Sequence, residues 1–446
     1  MAGEWYEYRL GDLAEIFDGP HATPKKAADG PIFLGISSLR QGRLDLSDAH
    51  RLSEEDYRLW TRRVTPAPGD VVFSYETRIG EAALIPGDLR GCLGRRMGLL
   101  RVRRERVDSR FLLYAYLGPE FQETLRRKTI HGSTVDRIPL KDLPNFPIRI
   151  PPSLLEQRAM AHILGTLDDK IELNRRMSET LEAIARAIFQ SWFVGFEPVW
   201  AKKEGRQPAG MEAETAALFP DDFEESELGP IPEGWAVGTL EVVANNVRSS
   251  VVPEDVQGVP YVGLEHMPRR SIALAGWGQT DEVESLKMSF ATGDTLFGKL
   301  RPYFHKVVIA PTDGVCSSEI LVVRPNRRTC REFVLLHLSS AEIIKFTTAL
   351  STGTRMPRTS WSDITTYRIA LPPENLLHRF SEITRPLIDR VVAHGEESRT
   401  ISDLRDLLLP KLLSGELRIP DTGSRTLRPE SETQDRKVVA RGTSNW

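Results

Sequence analysis

This chain is written twice, with a period of about 221 residues. In the first copy Thr129-Ile-His-Gly132-Ser-Thr134 leads through Leu143 and a strand-like run at 146–150 to Pro151-Pro152. In the second, Leu350-Ser-Thr-Gly353-Thr-Arg355 leads through Ile364 and a similar run at 367–371 to Pro372-Pro373. Upstream, Phe33-Leu-Gly35-Ile answers Tyr261-Val-Gly263-Leu, and Gly69-Asp70-Val-Val-Phe73 answers Gly293-Asp294-Thr-Leu-Phe297. So long a repeat predicts two similar globular units, each of ordinary domain size. Two similar surfaces at a fixed separation suit a long target with two reading points, of which duplex DNA is the obvious one.

Each copy ends in a long helical pattern. Pro151-Pro152 blocks helix upstream, Ser153 caps, and Glu156 three residues later completes a capping box. Met160, Leu164, Leu167, Ile171, Met177, Leu181, Ile184 and Ile188 then recur every three or four residues. A helix of about 40 residues would extend roughly 60 Å, more than one domain face can cover. Its expected partner is the second copy's stripe of Phe380, Ile383, Leu387, Val391, Ile401, Leu404, Leu408 and Leu412. The two are expected to pair antiparallel, with Leu164, Leu167, Ile171, Leu181 and Ile188 facing Phe380, Leu387, Val391, Ile401 and Leu408 across the seam. Asn174 and Ser178 would then lie near His394 and Ser398, where polar groups fix register. Pro386, which lacks a backbone donor, is expected to kink the second helix or start a new segment.

The predicted fold is therefore α+β, with a pseudo-two-fold internal repeat. Two units of small mixed or antiparallel sheets with helices, 1–150 and 234–371, are separated by long helices at 151–195 and 372–418 that form an antiparallel coiled coil. Short apolar runs at 15–17, 32–34, 71–73, 82–85 and 98–102 read as strands, followed by one helix over 111–128. The second unit repeats this order, with a helix over about 332–349. Residues 196–233 read as an irregular acidic connector, and 419–446 as a disordered tail.

The formal net charge of -3 argues against nucleic acid only until it is divided. Residues 1–150 hold 24 Lys plus Arg against 21 Asp plus Glu, and 234–371 hold 15 against 13, whereas 196–233 hold 3 against 10. The acidity sits in the connector, and the two units are mildly basic, which permits DNA binding without demonstrating it. Three cysteines without Cys-x-x-Cys spacing argue against a zinc site or disulfide scaffold. No apolar run reaches transmembrane length and no leader is visible at Met1, so a cytoplasmic location is expected.

The sequence carries no recognisable catalytic motif. The run from Gly293 through Gly298-Lys299-Leu300 resembles a phosphate loop until Leu300, which replaces the magnesium-holding hydroxyl. The nine histidines form no metal-like cluster. No nucleophile elbow, dinucleotide loop or amino-methyltransferase Pro-Pro-aromatic segment is present. The residues point to binding and positioning, with no enzymatic activity expected.

The order Gly132-Ser-Thr134, Ile138-Pro, Leu143, Ile148-Arg-Ile-Pro-Pro152, Leu155-Glu-Gln-Arg158, Leu167-Asp-Asp-Lys-Ile171 and Asn174 closely resembles the specificity subunits of type I restriction-modification systems. Phe189-Gln-Ser-Trp-Phe193 and Leu228-Gly-Pro-Ile-Pro-Glu-Gly-Trp235 resemble that family's central connector, and residues 409–417 its C-terminal helix end. The second copy departs at Asn375-Leu-Leu-His-Arg379, which lacks the Glu-Gln pair. The resemblance implies two target-recognition domains, each reading one half of a split double-stranded DNA sequence, and a helix pair that sets the unread gap. It also implies a scaffold for two modification (methyltransferase) subunits and for restriction motor subunits. S-adenosylmethionine, ATP and magnesium would belong to those partners, with no cofactor in this chain. A different reading is a tandem-domain protein scaffold without DNA preference.

Base edges are read by side chains in grooves, whereas Arg and Lys on phosphates set register. Candidate DNA contacts in the first domain are Lys25, Lys26, Tyr75, Arg78, Arg95, Arg96, Ser133, Thr134 and Arg137. Their counterparts in the second are Arg269, Arg270, Lys299, Arg301, Tyr303, Thr354, Arg355 and Arg358. A run of Arg101, Arg103, Arg104 and Arg106 reads either as a phosphate rail or as the exposed face of an edge strand.

Overall fold

A computed structural model describes residues 5–419, apart from His21, Gln41, Ser47, Asp48, Ser133 and Thr134, with backbone alone for Glu282. The chain divides into two compact units, Met1–Ala161 with Leu409–Trp446, and His162–Leu408. Most of the expected tail, from residue 420 on, lies outside the described residues.

In the first unit an antiparallel sheet runs in the order Ala14–Asp18, Met97–Val102, Val71–Ser74, Ala82–Leu84. A second sheet joins His50–Arg51, Ala27–Leu34 and Gly91–Leu93, the last pair parallel. The other unit repeats both. Its first sheet is ordered Ala244–Val247, Ile320–Pro325, Thr295–Gly298, Val307–Ile309. Its second contains Pro260–Val262 paired parallel with Gly314–Cys316. Each unit is closed by a pairing of its ends, Tyr6–Arg9 with Pro147–Ile150 and Ala236–Gly238 with Ile369–Leu371.

The repeated Gly-Asp turns have a structural reason. Asp70 is buried, accepts the Ala67 amide at 2.9 Å and pairs with Arg101 at 2.8 Å. Asp294 does the same with Ala291 at 2.8 Å and Arg324 at 2.7 Å. Each carboxylate closes the turn before a central strand, so the run from Gly293 to Lys299 is the start of a sheet strand and not a phosphate cradle. Arg101 is thereby withdrawn from the expected rail. Arg104 bonds the Pro68 carbonyl and Arg106 reaches the Asp12 carbonyl, so that cluster braces its own domain.

Where one helix was expected over 111–128, two form, Ser109–Leu117 and Pro119–Lys128. Pro119 has no amide to continue the first helix and is suited to begin the second. The counterpart likewise breaks into Arg331–Leu338 and Ala341–Leu350, with Ser340 capping the amide of Ile343 at 3.2 Å. In the second unit the two helices are bent from one another by 63°.

Two long helices span Leu154–Phe189 and Glu374–Ser414. The second runs on through Pro386, so no new segment starts there. Two residues earlier Thr384 bonds the Phe380 carbonyl at 2.7 Å, and buried Phe380, Thr384, Ile388 and Val391 hold the helix on the core from both sides of the proline. Within the second unit the helices run antiparallel: Asp168 meets Arg405 at 2.9 Å, Asn174 meets Glu397 at 2.8 Å, and Ser178 meets His394 at 3.3 Å. Leu164, Ile171, Ser178, Ala185 and Trp192 are all buried at seven-residue intervals, the coiled-coil period. The Phe380 ring lies 4.8 Å from Phe193 and 5.7 Å from Trp192, so truncating it to Ala should remove about 3–5 kcal/mol.

The acidic connector is folded, not irregular. It forms Glu197–Lys203, Ala213–Ala216 and a hairpin of Phe223–Ser226 with Gly229–Pro232. Val199, Phe219, Ile231 and Trp235 enter the second unit's core, and Arg379 pairs with Glu212 at 2.8 Å. No single helix among the described residues is long and apolar enough to cross a membrane.

Candidate nucleic-acid interface

The Gly353 loop is a closed hairpin. Thr352 and Arg358 exchange backbone hydrogen bonds at 3.1 and 3.0 Å, and Gly353 turns the chain with a φ of +105° that other residues rarely adopt. This leaves Thr354, Arg355 and Met356 exposed at the tip. The hairpin docks on the turn after strand Thr295–Gly298: the Thr359 amide bonds the Lys299 carbonyl at 3.1 Å and the Arg301 amide bonds the Pro357 carbonyl at 2.7 Å. Arg301 also donates through its guanidinium to the Arg355 carbonyl at 3.1 Å. Two chain segments far apart in sequence thus form one cationic ridge.

Aromatic and strained residues flank it. The Arg269 guanidinium lies over the Phe304 ring at 4.3 Å, with Arg301 at 5.8 Å and Tyr303 at 4.9 Å from the same ring. Tyr303 is half exposed. Arg270, Arg301 and His305 all hold positive φ, and the Arg270 amide bonds the His305 carbonyl at 2.9 Å. Non-glycine residues in this region cost free energy and gather at functional sites. Arg358 pairs with Glu319 at 2.9 Å, which orients its guanidinium while leaving it 44% exposed. Arg269, Arg270, Lys299, Arg301, Tyr303, Thr354, Arg355 and Arg358 are therefore on this ridge or beside it.

The first unit builds the same hairpin with different side chains. Ile130 and Arg137 exchange backbone bonds at 2.9 and 3.1 Å, and the Ile138 amide bonds the Tyr75 carbonyl at 2.9 Å. Ser133 and Thr134 lie outside the described residues. Arg137 and Arg95 are exposed, Arg96 pairs with Glu76 at 2.8 Å, and Arg78 donates to the Leu39 carbonyl at 3.0 Å and faces Glu81 at 3.3 Å. Lys25 and Lys26 are exposed on the segment leading into Ala27–Leu34, in the other sheet. Tyr75 corrects the sequence reading: it is 4% exposed, and burial pushes its hydroxyl above the ordinary phenol range. An aromatic ring following a buried strand completes the core here, so Tyr75 contributes backbone and not a reading side chain.

The seam residues Leu164, Ile171, Phe380 and Val391 are buried, and Leu167, Leu181, Ile188, Leu387, Ile401 and Leu408 partly so. Met177 and Ile184, placed in the same stripe from spacing, are exposed instead. Gln157, from the Glu-Gln pair absent in the second copy, is fully buried and accepts the Asp108 amide at 2.9 Å while donating to the Pro151 carbonyl at 2.8 Å. Its role is to seat the helix on the first domain. Phe304 and Glu319 were missed by sequence reasoning; an aromatic next to Tyr303 was a faint signal for the first, and nothing marked the second.

A family model described as the type I restriction modification DNA specificity domain matches residues 2–183. The type I restriction enzyme MjaIX specificity subunit of Methanocaldococcus jannaschii is 25% identical over 437 residues, covering 94% of each chain. The HindI specificity subunit of Haemophilus influenzae is 23% identical, covering 93% of this chain and all of its own length. A crystal structure of the S subunit of a type I restriction-modification system from M. genitalium matches with a TM-score of 0.54 and 15% identity, covering 92% of this chain and 96% of that one. That likeness bears on fold.

Proposed function

Since the chain belongs to the DNA-specificity family of type I restriction-modification systems, we propose that its two repeated domains each read one half of a split duplex sequence. The observation that carries this reading is the duplicated glycine hairpin docked on a strand-end turn, with arginines at both places in both units. Guanidinium groups on such a ridge suit phosphates and the acceptor edge of guanine, and Tyr303 suits an apolar or stacking contact. The helix pair sets the number of unread base pairs between the halves.

The chain itself contributes recognition and no chemistry. Two modification subunits carrying S-adenosylmethionine methylate adenine, and motor-nuclease subunits using ATP and magnesium complete the assembly in the cytoplasm. Support for docking comes from Ile163, Leu173, Met177 and Ile184, apolar residues 37–51% exposed on one side of the first long helix. At 100° per residue they form a stripe roughly 90° round the helix from the seam, an apolar flank left for a partner. Affinity purification of the tagged full chain from its native cells should recover a methyltransferase subunit, and the purified complex should bind duplex DNA with a strong salt dependence. Recovery without any methyltransferase, together with salt-insensitive binding, contradicts the reading.

A further inference from the structure

Within the second unit, residues 269–277 form no helix or strand, yet they are held at every step. At the head, the Arg270 carbonyl accepts from Arg186 of the first long helix at 3.3 Å. Next, Glu182 of the same helix accepts from the Ser271 hydroxyl at 2.7 Å and from the Ile272 amide at 3.2 and 3.3 Å. Glu182 is 4% exposed, and Arg186 completes its pairing at 3.1 Å. Ile272 enters the core that both long helices share, while Leu274 enters the separate core between the sheets. The tail of the segment then meets the other long helix. Gly395 lets the Leu274 carbonyl approach so closely that a Cβ would lie 3.2 Å from it, and the Arg399 guanidinium stacks on the Trp277 ring at 3.8 Å.

The segment therefore touches both helices, and it does so where their seam turns polar, at Asn174, Ser178, His394 and Ser398. Its other end carries Arg269 and Arg270, beside Phe304 and the strained turn that bears Arg301. An irregular segment cannot hold two long cations against a target unless something rigid fixes its backbone. A buried carboxylate on a helix is such a fixture, because leaving it, or the amide it accepts from, unpaired is costly.

We propose that residues 269–277 are a strap by which the helix pair fixes the DNA-reading arginines of the second domain, with Glu182 as its positioning residue. This rests on the DNA-reading role proposed above. Glu182 touches no DNA; it sets where Arg269 and Arg270 stand. Loosening the strap blurs recognition in the half of the target read by the second domain and leaves the other half unaffected.

The test uses the full chain, as wild type, Glu182→Ala, Glu182→Gln and Arg399→Ala. Each is titrated against duplexes bearing the split motif and against duplexes with single base changes in either half. Glu182→Ala should reduce discrimination in one half by about tenfold, within the range a single mismatched base pair is worth, with the other half unchanged. Glu182→Gln, which keeps one acceptor oxygen, should lie between. Arg399→Ala alters only a surface stack and should weaken the same half by about threefold; it decides the matter if Glu182→Ala does not fold. If the folded variants lose affinity equally for all duplexes, or not at all, with both discrimination ratios intact, the strap is wrong. Absence of discrimination by the wild-type chain in either half overturns the DNA-reading role and the strap with it.

Discussion

Asn174 donates its side-chain amide to the Glu397 carboxylate at 2.8 Å, and Ser398 lies 3.3 Å from the same nitrogen, across more than 220 residues of chain. The contact occupies a heptad position between Leu167 and Leu181, where an apolar residue would pack better. Polar seam residues trade stability for a fixed register.

Replacing Asn174 with Leu should therefore raise the thermal midpoint of its own unit, His162–Leu408, by roughly 2–4 °C, the shift expected of about 1 kcal/mol in a unit of that size. Glu397 keeps Lys170 at 3.0 Å, so no charge is stranded. Thermal denaturation of the full chain measures this, and a lower midpoint contradicts it.

Asp70 and Asp294 close equivalent turns, each buried and each facing an arginine whose side chain is 40% and 47% exposed respectively. Truncating either to Ala should destabilise its own unit by about 2 kcal/mol, less than a fully buried pair because the arginine regains water. Urea unfolding of each variant checks the magnitude; an unchanged midpoint for either breaks the claim of equivalence.

The ridge makes a separate prediction. Arg355→Ala with Arg358→Ala should weaken cognate binding and reduce the slope of log affinity against log salt by about 2, near 0.9 for each phosphate contact. Binding isotherms from low to moderate salt supply the slope. If it does not change, these arginines are not at the interface.

Tyr75→Phe should do nothing to DNA affinity. The hydroxyl is buried without a hydrogen-bond partner among the described residues, so its removal is neutral or stabilising. Tyr303→Ala should lower affinity, because that ring is half exposed beside Arg269 and Arg301. Equal effects of the two changes would place the reading surface elsewhere.

Two histidines give the fold a pH dependence. Burial pushes His337 down to about 3, among the rings of Phe189 and Phe333, and lowers His394 as well, helped by Arg390. An unfolded histidine titrates near 6.5. Because the folded value is depressed, this stability is fully present above about pH 6.5 and is lost as pH falls toward 3, by up to about 1.4 kcal/mol per pH unit for His337. His337→Phe should flatten the dependence, measured as urea midpoints between pH 7.5 and 4. A wild-type to variant difference that stays constant with pH rules this out.

Much of this architecture was legible because the repeat supplied its own control. Gly132 and Gly353 mark the same hairpin, and Pro151-Pro152 and Pro372-Pro373 the same strand-to-helix passage. The seam was read less well. Spacings of three and four admit more than one face, and the seven-residue series from Leu164 to Trp192 passes through Ser178, while Met177 and Ile184 look outward. Acidic composition concealed the connector's fold, because a few apolar residues, Val199, Phe219 and Ile231, with Trp235 just beyond its end, are enough to anchor it. Tyr75 and Glu182 were beyond reach for one reason: burial depends on what the rest of the chain brings to a position, tyrosine being intermediate in burial and glutamate seldom buried unless paired.

The most direct measurement is a map of adenine methylation across the native genome in cells with and without this chain. The account predicts that one split motif, two short defined halves around an unread gap, loses methylation when the chain is absent and regains it when the chain is restored. Persistence of every methylated motif in its absence would contradict the claim that this chain chooses the DNA.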